Sequence, residues 1–308
     1  MHASPRAKIN LTLSVGPRGD DGYHSLSSVF LRVGLADDLT VAPAPGPGGD
    51  VLTLAGLPGA PVDGNLVLRA FALTRRALGH DLPGLVAHLE KRIPMAAGLG
   101  GGSADAAAAV DGALIVWGAG LALDVRAEID LDLGADVPFF ARGGEVALVR
   151  GRGEQVERLA LPTGELGLLL VTPPIALSTA QVFARFDELG IATASESVTR
   201  DLARALRDGT SSETVVAWAV RLRDANDLWA AAASLAPGLA ALREHLEAET
   251  GRPWLLSGSG STLFALYPSP AEAAAEGRLL VSAESELLEG AMINAVDLVG
   301  PDPAWRFP

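Results

Sequence analysis

Pro94-Met95-Ala96-Ala97-Gly98-Leu99-Gly100-Gly101-Gly102-Ser103-Ala104-Asp105-Ala106-Ala107-Ala108-Ala109 reads as a strand end, a glycine loop and a helix start. Upstream, Leu85, Ala87, Leu89 and Ile93 keep a two-residue period, which suits a half-buried strand. Pro94 has no N–H for a ladder and is expected to end that strand. Four glycines follow within five residues, and Ser103 precedes the alanine run where a helix N-cap is expected. A glycine loop feeding a helix N-terminus offers unpaired N–H groups and the positive end of the helix dipole to an anion. Phosphate is the natural candidate. The alternative is a flexible Gly-Ser linker, against which stand the ordered strand and helix on either side. A P-loop is excluded, since no Gly-Lys-Ser/Thr ends the stretch. The dinucleotide fingerprint fits poorly because Pro94 to Ala97 separate strand from glycine, although Asp124 falls near the distance of a ribose-binding acid.

The chain has 308 residues, enough for two modest domains. Its apolar content of 49% is that of a globular protein. With no cysteine, disulfides, thiolate zinc sites and cysteine nucleophiles are all excluded. Met1 to Arg6 carries no apolar signal core, and the most apolar long stretch, Ala106 to Leu123, is mostly alanine and glycine interrupted by Asp111. It reads as a buried helix and its exit, not a membrane span, and the expected location is the cytoplasm. A net charge of −13 argues against a nucleic-acid partner and requires any phosphate site to be locally positive. Arginine occurs 22 times but lysine only at Lys8 and Lys91, which singles these two out as places where a compact ammonium is needed.

The first half mixes strands and helices. Ile9, Leu11, Leu13 and Val15 alternate with polar residues as one strand. Further strands are expected at 29–33, 39–41, 51–54 and 145–149, and a helix at 65–78 capped by Asp63 or Asn65. The second half starts near Gly151, with a strand at 166–171. Helices are expected at about 179–189, 199–206, 212–223, 238–249 and 270–288. Strands are expected at 254–257 and 263–267 around Gly258-Ser259-Gly260-Ser261, with a last one at 292–299 before a tail. The mixed order predicts α+β layers rather than a doubly wound sheet, with domains at 1–150 and 151–308.

Lys8 and Asn10 lie two apart on a strand and so share a face, which a merely solvated polar face would also explain. Asp136 in Gly134-Ala135-Asp136-Val137-Pro138-Phe139-Phe140 is a good helix N-cap, so a structural cap is its alternative role. Tyr23-His24 follows a turn sequence and could be an exposed loop pair. Beside a phosphate loop these residues take on a joint meaning. Phosphorylation of an alcohol needs a phosphate cradle, a cation at the transferring group and a carboxylate for the hydroxyl proton. Gly98 to Ser103, Lys8 and Asp136 would supply them.

The combination resembles the GHMP family of small-molecule kinases. The likeness rests on Ala7-Lys8-Ile9-Asn10-Leu11, on Pro94 to Ala109, and on Ser257 to Ala265. Asp21-Gly22-Tyr23-His24, Leu133 to Phe140, Gly151-Arg152-Gly153-Glu154 and Asn226-Asp227-Leu228 extend it, so that it runs from about residue 6 to 267. Gly-Leu-Gly-Gly-Gly-Ser-Ala-Asp, in place of the Gly-Leu-Gly-Ser-Ser of mevalonate, galacto- and homoserine kinases, points to a subfamily with a cytidyl alcohol as substrate. The resemblance implies a ribosomal-S5-like N-terminal domain and a ferredoxin-like C-terminal domain with the site between them. It implies Asp136 as base with Lys8 as its electrostatic partner. Asn10 and His24 would hydrogen-bond the substrate, and Tyr23 and Phe183 would sandwich the cytosine, with Thr179 one helical turn from Phe183. For Phe183, plain core packing is the alternative. ATP, brought as its Mg2+ complex with no protein ligand assigned, would bind Asn65, Lys91, Pro94, Met95, Ala96, Ala97, Gly98, Leu99, Gly100, Gly101, Gly102, Ser103 and Ala104. Val110-Asp111-Gly112 departs from the family pattern and is expected to shorten the helix. The tail with Trp305 and Phe307 matches nothing in that pattern. A kinase for another alcohol of the homoserine or mevalonate type, and a catalytically inactive binding module, are the alternatives. Oligomeric state is left open.

Overall fold

Alternating apolar residues build three sheets in the computed structural model, which describes residues 1–20, 22–46, 49–57, 62–79, 82–142, 144–191 and 193–298. Asp21 and the tail carrying Trp305 and Phe307 lie outside the described residues. The strands are β1 His2–Ala3, β2 Arg6–Asn10, β3 Ser14–Arg18, β4 His24–Ala36, β5 Asp38–Pro43, β6 Val51–Gly56, β7 Leu85–Lys91, β8 Val146–Gly151, β9 Gln155–Arg158, β10 Gly167–Thr172, β11 Leu255–Leu256, β12 Leu263–Tyr267 and β13 Met292–Asp297. The helices are α1 Leu66–Leu78, α2 Gly101–Trp117, α3 Leu123–Leu133, α4 Val137–Ala141, α5 Thr179–Leu189, α6 Glu196–Arg207, α7 Ser212–Ala217, α8 Ala219–Leu222, α9 Trp229–Leu235, α10 Pro237–Thr250 and α11 Pro270–Ser282.

The first sheet has the order β1-β5-β7-β6, with β6 and β7 parallel and α1 crossing between them. The second runs β2-β4-β8-β9 with β3 also on β4, all antiparallel. The third, β11-β12-β10-β13, is antiparallel, with helices between β10 and β11 and α11 between β12 and β13, which is the ferredoxin-like split βαβ order. Three apolar cores fill the layers. One packs α1 to α4 on the first sheet around Phe71, Leu89, Ala109 and Phe139. The second joins the halves, bringing Ile9, Leu31 and Leu99 against Leu168, Leu170 and Phe264. The third holds Phe186, Leu242, Trp254 and Tyr267 on the far face of the third sheet. Helix α2 is buried on nearly every side, as a helix of alanines with no polar stripe must be.

Several elements differ from the sequence reading. The alternation at Ile9 to Val15 is split into β2 and β3, because Leu13 leaves the sheet to bridge Asn226. Ser103 does not cap α2; the helix starts at Gly101 and the cap is Gly100, with no side-chain bond. Asp111-Gly112 does not shorten α2, since Arg126 pairs with Asp111 across to α3 and the helix runs on to Trp117. The expected helix at 212–223 is broken at Trp218 into α7 and α8, and that at 270–288 stops at Ser282 before a 3-10 turn at Glu286–Leu288. Helix α9 and strand β9 were not legible at all.

Candidate active site

A cavity of about 520 Å3 opens where the three sheets meet. Its floor is the loop from Pro94 to Gly100. Left-handed backbone at Ala96, Gly98 and Gly100 (φ +51°, +76° and +68°) winds this loop tightly. A side chain at Gly98 would overlap the Ser257 carbonyl, and one at Gly100 would press at 3.1 Å on Lys8 and Phe140. Gly101 needs no left-handed conformation; a Cβ there would meet Ile93 Cγ2 at 2.8 Å. The first intrahelical bond recorded at the start of α2 is Ala104 N to Gly100 O, 2.9 Å. The N–H groups of Gly101, Gly102 and Ser103 therefore point out of the helix end toward the cavity, where the dipole favours an anion. The loop is ordered and leads into a helix N-terminus of the kind that favours anions, so the linker alternative fails.

Strand β2 carries Lys8 and Asn10 to the cavity wall. Lys8 Nζ donates to Asn10 Oδ1 at 2.7 Å and lies 3.3 Å from Asp136 Oδ2. It also sits 4.7 Å from the Phe30 ring centroid. Asn10 Nδ2 donates in turn to Ser28 Oγ at 2.8 Å, which fixes the amide's orientation. Lys8 is held by the loop itself, since its backbone N–H donates to Leu99 O at 2.9 Å. Asp136 stands before α4 but its carboxylate caps nothing, so the structural alternative fails. Its side chain is 30% exposed and faces the cavity beside a nearly buried ammonium. The solvated-face reading of Lys8 fails as well, with the residue only 3% exposed.

The other expected site residues divide. Asn65, Lys91, Thr179, Phe183 and the loop from Pro94 to Ser103 line the cavity, whereas Ala104 is buried in the core and does not. Asn65 caps α1 through Val67 N at 3.0 Å. Thr179 Oγ1 is 3.0 Å from Ser259 Oγ, at the start of α5, with Phe183 one turn on. Lys91 is a partner of buried acids: Nζ donates to Asp37 and, at 2.7 Å, to Asp105. Burial alone would lower the Lys91 ammonium, but Asp105 and Asp37 outweigh it and hold it above its usual value. Burial pushes Asp105 up to about 7, against the pull of Lys91. Tyr23 and His24 are outside the cavity lining. Tyr23 is 57% exposed, with the Arg152 guanidinium 3.9 Å from its ring centroid. His24 faces Gly16 O at 2.8 Å and Asp187 Oδ1 at 3.1 Å, and its ring is 5.5 Å from Phe183. Asp124, the ribose-acid candidate, lies on α3 away from the cavity.

Sequence reasoning missed the cavity residues of the far side. Gly258 and Ser259 line it, Ser257 Oγ donates to Gly98 O at 2.9 Å, and Thr262 N donates to Ala97 O at 3.2 Å. The 257–262 segment thus clasps the phosphate loop. Asn226 braces the clasp by donating to Leu256 O and Gly258 O at 3.0 and 2.9 Å. The signal was present in the Gly-Ser repeat, whose partner was not. Among the described residues no helix is long and apolar enough to cross a membrane.

A glycine loop at a helix N-terminus, a Lys–Asp pair beside it and a neighbouring ferredoxin-like half are an arrangement suited to an ATP-dependent small-molecule kinase, the class to which the chain's relatives belong. The chain belongs to the GHMP kinase family: residues 65–144 match the GHMP kinases N terminal domain and residues 218–278 the GHMP kinases C terminal domain. Within that family it is similar to 4-diphosphocytidyl-2-C-methyl-D-erythritol kinase of Pelotomaculum thermopropionicum, 39% identical over 264 residues, with 86% of this chain and 88% of the relative covered. A solved 4-(cytidine 5'-diphospho)-2C-methyl-D-erythritol kinase superposes with a TM-score of 0.73 at 32% identity, covering 97% of this chain and all of that one. Mevalonate kinase of Methanococcus jannaschii shares the fold alone, with a TM-score of 0.69 at 12% identity over 97% of this chain and 98% of that one.

Proposed function

We propose that the chain transfers the γ-phosphoryl group of ATP to the 2-hydroxyl of 4-diphosphocytidyl-2-C-methyl-D-erythritol, a step of non-mevalonate isoprenoid precursor synthesis in the cytoplasm. The observation that carries this is the Lys8–Asp136 pair, 3.3 Å apart, beside the glycine loop. The substrate is supported by relatives of that name across most of the chain. Asp136 accepts the hydroxyl proton, which makes the oxygen nucleophilic as it attacks phosphorus. Lys8 offsets the charge that develops on attacking and transferred oxygens. The N–H groups at the start of α2 hold the nucleotide phosphates. Mg2+ bound to ATP would supply neutralisation of the phosphate charge. Asn10 and Thr179 are proposed to hold the alcohol, and Phe183 one face of the cytosine. A coupled ADP-release assay comparing this cytidyl alcohol with mevalonate and homoserine tests the reading. Turnover of the cytidyl alcohol alone is expected; faster turnover of either other alcohol overturns the substrate assignment.

A further inference from the structure

Strand β4 supports the Lys8–Asp136 pair from behind. Phe30 pairs with Asn10 across the β2–β4 ladder, and Ser28 lies two residues away on the same face of β4. The Lys8 ammonium lies over the Phe30 ring, and the Asn10 amide meets Ser28. Ser28 is 1% exposed and does not line the cavity, so it is placed to act through Asn10 rather than on a ligand. Its hydroxyl has one proton, which it donates to Thr12 O at 2.5 Å, in the break between β2 and β3. A carbonyl only accepts, so the Ser28 oxygen is left to accept from Asn10. The amide must then turn Nδ2 to Ser28, at 2.8 Å, and Oδ1 to Lys8, at 2.7 Å. The direction of three successive hydrogen bonds is thus set at the Thr12 backbone and ends on the ammonium beside Asp136.

We infer that Ser28 is a positioning residue for phosphoryl transfer: by fixing the Asn10 amide it holds the Lys8 ammonium in its working place beside Asp136. The inference rests on the proposed function. Lys8 divides its ammonium between Asn10 Oδ1 at 2.7 Å and Asp136 Oδ2 at 3.3 Å, and the neutral partner is the nearer. An ammonium drawn fully onto Asp136 would make that carboxylate a poorer proton acceptor, since a close positive charge favours its ionised form. It would also be turned away from the oxygens whose charge it offsets. Without the Ser28 hydroxyl, Asn10 Nδ2 becomes a buried donor with its acceptor removed. Asn10 lines the cavity, so its amide can then turn outward and take Oδ1 off Lys8. Lys8, Asn10, Thr12 and Ser28 are all buried, so water is poorly placed to replace a lost partner.

The test is steady-state kinetics with ATP and the cytidyl alcohol on Ser28→Ala, Asn10→Ala, the double variant and Ser28→Thr. Ser28→Ala should lower kcat by about ten- to a hundredfold, the scale of one misdirected hydrogen bond to a charge, with the KM for ATP unchanged. Ser28→Thr keeps the hydroxyl and should restore most of the turnover. The double variant should be no slower than Asn10→Ala, because Ser28 acts through Asn10. A merely structural Ser28 would lower the melting temperature instead, and the two single losses would multiply in the double variant. If Ser28→Ala does not fold, Ser28→Cys, a weaker donor and acceptor of similar shape, takes its place and should show part of the kcat loss. An undiminished kcat in the folded variant, or losses that multiply, overturns the role of Ser28 and leaves the proposed function standing. Wild type inert on the cytidyl alcohol, mevalonate and homoserine overturns both.

Discussion

At the scale of the residue, the proposed mechanism turns on Asp136, whose carboxylate pairs with Lys8 and makes no helix-capping bond. Asp136 occupies a helix N-cap position without using it, so its removal costs the helix no capping bond. Asp136→Asn should keep fold and nucleotide affinity and lower kcat by about 10²–10⁴, read in the coupled assay. Near-normal turnover would exclude the base role. Lys8 and Asp136 were legible from their motifs, since each sits in a pattern whose neighbours set its direction: β-alternation for Lys8, a proline-started helix for Asp136. The state of Lys91 was not legible. Its partners Asp37 and Asp105 lie in segments that meet only in three dimensions, so the sequence left it as a cation available to nucleotide. Tyr23 illustrates the same limit, because the guanidinium on its ring comes from the β8–β9 turn far along the chain.

At the scale of the element, α2 combines a free N-terminus with a buried acid one turn in. Asp105 titrates high in the fold, so the native state holds its proton more tightly than the unfolded chain does. The stabilisation this gives is complete below the ordinary carboxylate range and is lost as pH rises to about 7. Asp105→Asn imitates the protonated form. Its melting temperature minus that of wild type should therefore climb between about pH 4 and pH 7 and level off above. A difference independent of pH would show that Asp105 ionises normally. In the loop before the helix, the two kinds of glycine should part company. Gly98→Ala puts a methyl group into the Ser257 carbonyl on left-handed backbone, and should lower both melting temperature and ATP affinity. Gly102→Ala places its methyl 3.6 Å from Leu66 Cδ1, ordinary contact, on a helical residue, and should melt at or above wild type. Helices with strong amphipathic or capping signals, such as α1 and α5, were legible to within a residue. Helix α9 was missed although the four alanines Ala230 to Ala233 favour helix, because the segment is short and has no apolar period; it packs beside α5 and α10.

At the scale of the whole molecule, the two halves share a core and are tied by one carboxylate. Asp227 accepts from Val15 N, Ala194 N, Ser195 N and Ser195 Oγ, at 2.9, 3.2, 3.1 and 2.7 Å. Asp227→Ala would leave these donors without an acceptor, at a cost of about 3 kcal/mol or more, and thermal melts should show one transition displaced downward by several degrees. Two separate transitions would mean that the halves are independent. The α+β class and the two-part architecture were readable from strand and helix order; the shared core was not, since the apolar faces that meet in it belong to β2, β4, β10 and β12 and carry no label of their partner. The clasp of Ser257 and Thr262 on the phosphate loop also bears on traffic through the enzyme. A clamshell that swung the halves apart would have to tear the nucleotide cradle from its own support. Ligands are therefore expected to come and go over the open rim of the cavity without the halves parting.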